Sequence, residues 1–302
     1  MRFLASVLLA ADELKADARE ARKLCDAFVR AYASALALGS ARWIERDTAR
    51  GLVDELLESL ASRTRIEHLN GRTERKRGRR TLRCDGKHAM PVGPAERKRV
   101  TKMIGASAAA RPDPAFFKVL DVAHRIAGTG SLGLERYVVL VEGKGSPDGN
   151  YLLDLKQSRP SSLVPHLKSP QPAWRSHAER IVTTQQRMQA VPMAFLEPVV
   201  RRKRSYVLRG LQPSEDRVEL YESDLAFDKV RDVIEDMGRI VAWSQLRSSG
   251  RAGSAIADEL IAFGRSRKRW HADLVASARR CARLVRKDWA AYCSAFDAGV
   301  LR

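Results

Sequence analysis

Gly128-Thr-Gly130-Ser131-Leu-Gly133-Leu134-Glu-Arg-Tyr-Val-Val-Leu-Val141 is the stretch on which the fold turns. Glycines at this spacing let backbone amides approach a phosphate with no Cβ in the way, and those amides supply the donors. Two architectures use such a loop. In a dinucleotide-binding fold the third glycine opens a helix, whereas in a kinase-like fold the loop is the tip of a β-hairpin and a second strand follows. Here Gly133 runs into the β-branched segment Tyr137 to Glu142, which is strand material. Asp154, 21 residues beyond Gly133, imitates the ribose-binding acid of the dinucleotide fold, so that alternative stays open at this point.

Outward from the loop lie more strand signals. Phe116 to Ile126 reads as extended, and Tyr151 to Lys156 is a short strand after the turn Gly145-Ser-Pro-Asp-Gly-Asn150. A helix is predicted from about Pro172 to Ala190, then a strand pair at Phe195 to Arg201 and Ser205 to Gly210. A kinase-like lobe needs a lysine on the strand after the hairpin, for the α and β phosphates, and a glutamate on the next helix to hold it. Lys156 and Glu179 stand at those places, although a surface Lys and Glu would look the same. Alternation sets Leu152, Asp154 and Lys156 on one face of their strand. The candidate cofactor-binding residues are therefore Gly128, Gly130, Ser131, Gly133, Lys156 and Glu179.

The flanks are helical or basic. Residues 1–62 give three helices, with Leu4, Val7, Leu8 and Ala11, then Leu24, Phe28, Tyr32 and Leu36, then Leu52, Leu56 and Leu60 at helical spacing. Asp47 or Thr48 is placed to cap the third. Residues 63–115 form a basic insert whose portion from Arg63 to Lys102 carries 14 Lys and Arg against four acids, a net of +10. Asn70-Gly71 and Asp85-Gly86 are turn signals that predict short ribbons there. Residues 116–212 are the Gly-loop α/β lobe, and residues 213–302 are helical again from Ser223, with breaks near Gly250 to Gly253 and Gly264.

The chain of 302 residues carries 55 Lys and Arg against 36 Asp and Glu, so its net charge of +19 points toward polyanions, and more than half of it lies in the insert. That makes a nucleic-acid or polyanion-binding module the alternative function, though the insert lacks the aromatics that stack on single-stranded bases. No apolar run approaches the roughly 20 residues of a membrane span. Cys25, Cys84, Cys281 and Cys293 are too dispersed for a zinc ribbon and read as reduced thiols of a cytoplasmic protein. The apolar start, Phe3 to Ala11, resembles an export signal, but the helical rhythm continues past it. A phosphotransferase of this type also needs an Asp followed five residues later by a metal-binding Asn, and no D-x-x-x-x-N occurs. The one H-x-D, His271-Ala-Asp273, falls in a helical run and reads as a coincidence of the helix surface.

GTGSLGLERYVVLVEG, LLDLKQSRPSSL, AERIVTTQQRMQA and YVLRGLQPSEDRVEL together resemble the bacterial family catalogued as domain of unknown function 2252, and the resemblance covers nearly the whole chain. That family is similar to protein kinases and aminoglycoside phosphotransferases in permuted order. The resemblance implies an α+β, kinase-like fold, permuted and incomplete, with a small antiparallel sheet lobe flanked by a mostly helical lobe. It implies ATP as the nucleotide, an unknown small-molecule or protein substrate, and Mg²⁺ only where the family's upstream acidic motif is present. A D-x-H-x-x-N-F motif and that acidic motif precede the Gly-rich lobe in the family, and the helix beginning Arg2-Phe-Leu-Ala-Ser6 continues a segment that follows them. On that basis the chain is expected to be an N-terminally truncated form whose lone activity is binding, with its first helix buried against the helical lobe. Gly210 stands where the family pattern has a larger polar residue, commonly Glu.

Overall fold

The computed structural model describes residues 1–213, 216–220 and 225–300. It divides into two compact units, residues 1–58 with 217–302, and residues 59–216. The N-terminal segments form α1 (Arg2–Leu9), α2 (Ala18–Leu38) and α3 (Gly51–Ser62). Asp17 starts α2 by accepting from the amides of Arg19 and Glu20, and Glu20 closes the capping box by accepting from the Asp17 amide. Asp47 and Thr48 belong to a single 3₁₀ turn ahead of α3.

In the second unit, α4 (Arg65–Arg72) is followed by β1 (Thr73–Lys76) and β2 (Arg79–Leu82), an antiparallel ribbon. A ribbon is thus present, but its tip is Arg77-Gly78, both with positive φ, and the predicted turn Asn70-Gly71 is helical. The capping box of Thr64 and Glu67 nucleates α4 and carries the helix through the Asn-Gly pair. Then come β3 (Ala89–Pro91), α5 (Pro94–Ala108), β4 (Val119–Arg125), β5 (Arg136–Val141), β6 (Tyr151–Gln157), α6 (His177–Met188), β7 (Glu197–Arg201) and β8 (Arg204–Gly210). Six of these strands form one antiparallel sheet in the order β3-β4-β5-β6-β8-β7.

Alternation gives this sheet two faces. Val122, Tyr137, Val139, Leu153, Leu155 and Leu208 form one core with Val100, Met103 and Ile104 of α5. On the other face, Leu69 of α4, Leu82 and Ala89 pack against Ala123, Val138, Leu140, Leu152 and Leu211. Beside them Ala178 and Val182 of α6 pack on Val207.

The remaining helices are α7 (Phe227–Ser248), α8 (Ala257–Arg265) and α9 (Arg267–Asp297). The helical start expected at Ser223 lies outside the described residues, as do Leu301 and Arg302. Leu4 and Val7 of α1 are buried with Leu24, Phe28 and Ile234, so the apolar start of the chain is a core helix. Gly238 and Gly264 let α7 and α8 approach the α2 backbone: a Cβ at Gly238 would stand 2.6 Å from the Phe28 carbonyl oxygen, and one at Gly264 2.7 Å from that of Ala33. Among the described residues no helix is long and apolar enough to cross a membrane.

Candidate functional site

The Gly loop joins β4 to β5, which pair antiparallel, so it is the tip of a hairpin. Gly133 has φ of +70° and turns the chain into β5, where a helix would have to begin in the dinucleotide-binding alternative. A Cβ added at Gly128, Gly130 or Gly133 would meet nothing within 4 Å. The space in front of the loop is open to a visitor, and the glycines leave its backbone bare.

Strand register then assembles a cluster that no single segment of sequence displays. Arg136 lies opposite Lys156, Val138 opposite Asp154, and Asp154 opposite Arg209. Asp154, only 1% exposed, accepts two bonds from Arg136, Nε and Nη2 each at 2.9 Å. Arg125 reaches the same carboxylate at 2.9 Å and Arg209 at 3.2 Å. Arg136 also donates to the Ser131 hydroxyl at 3.0 Å, which ties the cluster to the Gly loop. Burial would push the Asp154 carboxyl up, but the Arg136 hydrogen bonds and the charges of Arg125 and Arg136 overcome it and hold it at about 2. Lys156 is lowered from the ordinary lysine value, first by burial and then by the neighbouring Arg136 charge.

Lys156 and Asp154 therefore share a face, beside the loop that holds Ser131. Glu179 is occupied elsewhere. It accepts from the Arg175 amide at 2.6 Å and from Arg175 Nε at 3.0 Å, while its own amide is capped by the Ser176 hydroxyl. Those bonds, the amide first, lower its pKa, and among the described residues no ion pair joins it to Lys156. Gly210 has its own reason to be small, because a Cβ there would stand 3.0 Å from the Tyr151 hydroxyl. His271 pairs with Asp26 at 2.9 Å, a helix-to-helix contact.

Sequence reasoning missed Arg125, Arg136 and Arg209, and met Asp154 only as a mimic of a ribose-binding acid. The available signal was the Asp154–Lys156 alternation together with an arginine immediately before and after the loop. It also missed a cleft of about 550 Å³ at the other end of the same face, floored by Leu69, Tyr151, Leu152 and Leu211 and rimmed by Arg65 and His68. Leu152 is two residues from Asp154, about 7 Å along the strand. A separate small pocket, lined by Leu82, Arg125, Val138 and Leu211, shares His88 and Leu211 with the wall of the cleft. Asn150, fully buried at the cleft wall, donates to the Glu142 carbonyl and the Ser146 hydroxyl, and its Oδ1 has no partner among the described residues.

Over residues 1–295 the sequence matches a family described as uncharacterized proteins conserved in bacteria, DUF2252. The chain belongs to this family. No curated protein and no solved structure matches it. Whether family members of this kind could hold Mg²⁺ through this lobe is a question of donors. Mg²⁺ takes carboxylate, phosphate and water oxygens. Asp154, the buried acid beside the loop, is engaged by three guanidiniums, and among the described residues no group of three or more His, Cys, Asp or Glu side chains could hold a metal. The one buried acid beside the loop, held by three guanidiniums, does not fit the metal.

Proposed function

We propose that residues 59–216 are a kinase-like nucleotide-binding lobe that takes ATP, with phosphates between the Gly128–Gly133 loop and Lys156. The observation that carries the reading is the order of parts on one antiparallel sheet: a Gly-loop hairpin, an adjacent strand bearing Lys156, a helix bearing Glu179, then two more strands. The cleft on the same face supports it. Its volume is within the range of small-molecule sites, and an apolar floor on the sheet face that also carries the cationic cluster suits a base and sugar followed by phosphates. The reading is of binding, and phosphoryl transfer is not assigned to these residues.

A basic polyanion-binding module is supported less. Much of the charge of the insert is used internally. Arg80, 4% exposed, pairs with Asp148 and donates to the Asn70 side chain, while Arg97 pairs with Asp121 at 2.6 Å and Arg63 with Asp216 at 2.9 Å. Arg99 serves Glu96, Glu135 and the Tyr137 hydroxyl.

Thermal melting against ATP concentration tests the proposal. A ligand that binds only the folded chain at 100 times its Kd adds about 2.7 kcal/mol, a rise of several degrees. The wild type is expected to show this rise, and Lys156→Ala to lose most of it while melting at or above the wild type without nucleotide. An unshifted wild type at millimolar ATP would overturn the reading.

A further inference from the structure

Arg125, Arg136 and Arg209 converge on one carboxylate, and it is the only acid paired with any of them among the described residues. Their other bonds go to neutral groups: Arg136 to the Ser131 hydroxyl and Arg209 to the Met193 sulfur. Lys156, on the same face and opposite Arg136, has no ion pair among the described residues. Four cations around one ionised acid leave three positive charges uncompensated, and the guanidiniums are largely buried, Arg136 being 10%, Arg125 18% and Arg209 29% exposed. Like charges drawn out of water repel, and they are tolerated where a counter-charge completes the site. Arg136 links the cluster to the Gly loop through the Ser131 hydroxyl.

A phosphate chain is the counter-charge that fits. Guanidinium forks match phosphate oxygens two at a time, and bare loop amides add further donors. At many nucleotide sites a divalent metal neutralises the phosphates, but the donors for one do not fit here, for the reasons given above. We propose that Arg125, Arg136, Arg209 and Lys156 form a metal-free clamp for a chain of two or more phosphates, so that the ligand is an uncomplexed nucleoside di- or triphosphate. The nucleoside half of this inference rests on the nucleotide-binding reading; the phosphate half rests on the cluster alone.

Calorimetric titration of the full chain at about 150 mM salt, where surface charge is screened beyond ~8 Å, separates the two. The ligands are ATP, AMP, adenosine and inorganic tripolyphosphate, each in EDTA and in excess Mg²⁺. ATP and tripolyphosphate are expected to bind at one site in EDTA, AMP about tenfold or more weaker, and Mg²⁺ to leave ATP binding unchanged or weaker. Arg209→Gln and, independently, Arg125→Gln are each expected to cost about tenfold for both polyphosphates, the equivalent of one charge-assisted contact. The double variant Arg77→Gln/Arg79→Gln, on the exposed ribbon, is the control and is expected to change neither.

ATP binding that requires Mg²⁺, or adenosine binding as tightly as ATP, would overturn the clamp while leaving nucleotide binding standing. Tripolyphosphate bound at one site with ATP refused would keep the clamp and sink the nucleotide reading. Loss of tripolyphosphate binding in the ribbon variant, with none in Arg209→Gln or Arg125→Gln, would also overturn the clamp, as would silence with every ligand. Should one clamp variant fail to fold, the other and the wild-type ligand series still decide.

Discussion

The two faces of the six-stranded sheet each carry a charged network, and they differ in balance. Under α5, Glu96 and Glu135 meet Arg99 and Arg204, with the hydroxyls of Tyr137 and Tyr206 bonded to the two acids and His124 closing on Glu96. Two acids face two arginines, and the charges balance. Across the sheet, Asp154 alone faces Arg125, Arg136 and Arg209, with Lys156 beside them. One face holds the fold together. The other holds the fold and has charge left over, next to a loop whose glycines need none of their own space.

Substitutions on the two faces should behave differently. The largest effect is expected from Asp154→Ala, which leaves three guanidiniums without their carboxylate. Removing one partner of a buried ion pair costs about 3–5 kcal/mol, which denaturant melts would register as a large fall in midpoint. Acid should act on the same group. A carboxylate held at about 2 when folded, against about 4 when unfolded, adds stability that is fully present above pH 4 and is lost as pH falls through 2. The contribution is about 2 kcal/mol, and Asp154→Asn should flatten that part of the stability profile between pH 4 and pH 2. If the profile of the variant parallels the wild type there, the carboxylate is not the titrating group.

On the balanced face, Glu135→Gln keeps the shape but removes the charge that Arg99 and Arg204 share, and a loss of about 1–3 kcal/mol is expected. That loss should be unaffected by added ATP. Smaller again is Gly130→Val. With nothing within 4 Å of its Cβ, melting should move by less than about 0.5 kcal/mol, while ATP affinity falls because the side chain stands where phosphate would approach. A stability loss as large as that of Glu135→Gln would mean the loop is packed and not open.

Much of the architecture was legible in sequence and the charge cluster was not. The helices of the first 62 residues follow from apolar spacing, and the hairpin from a Gly-rich loop followed by a β-branched run. The ribbon tip was misplaced because a capping box at Thr64 and Glu67 outweighed the Asn70-Gly71 turn. Arg125, Arg136 and Arg209 stand on three different strands, and only the pairing of β4 with β5, β5 with β6 and β6 with β8 brings them onto Asp154. Register of that kind is a property of the folded sheet, and local pattern does not encode it. The turn of Glu179 back onto Arg175 was legible in principle as a pair four residues apart at a helix start capped by Ser176, a local partner nearer than the strand lysine.

Hydrogen exchange with and without ATP distinguishes the loop from the ribbon. Exchange is expected to slow across residues 128–134 on adding ATP, with the ribbon at residues 75–80 unchanged. Protection of the ribbon with none in the loop would contradict it, and would place the polyanion surface in the basic insert instead.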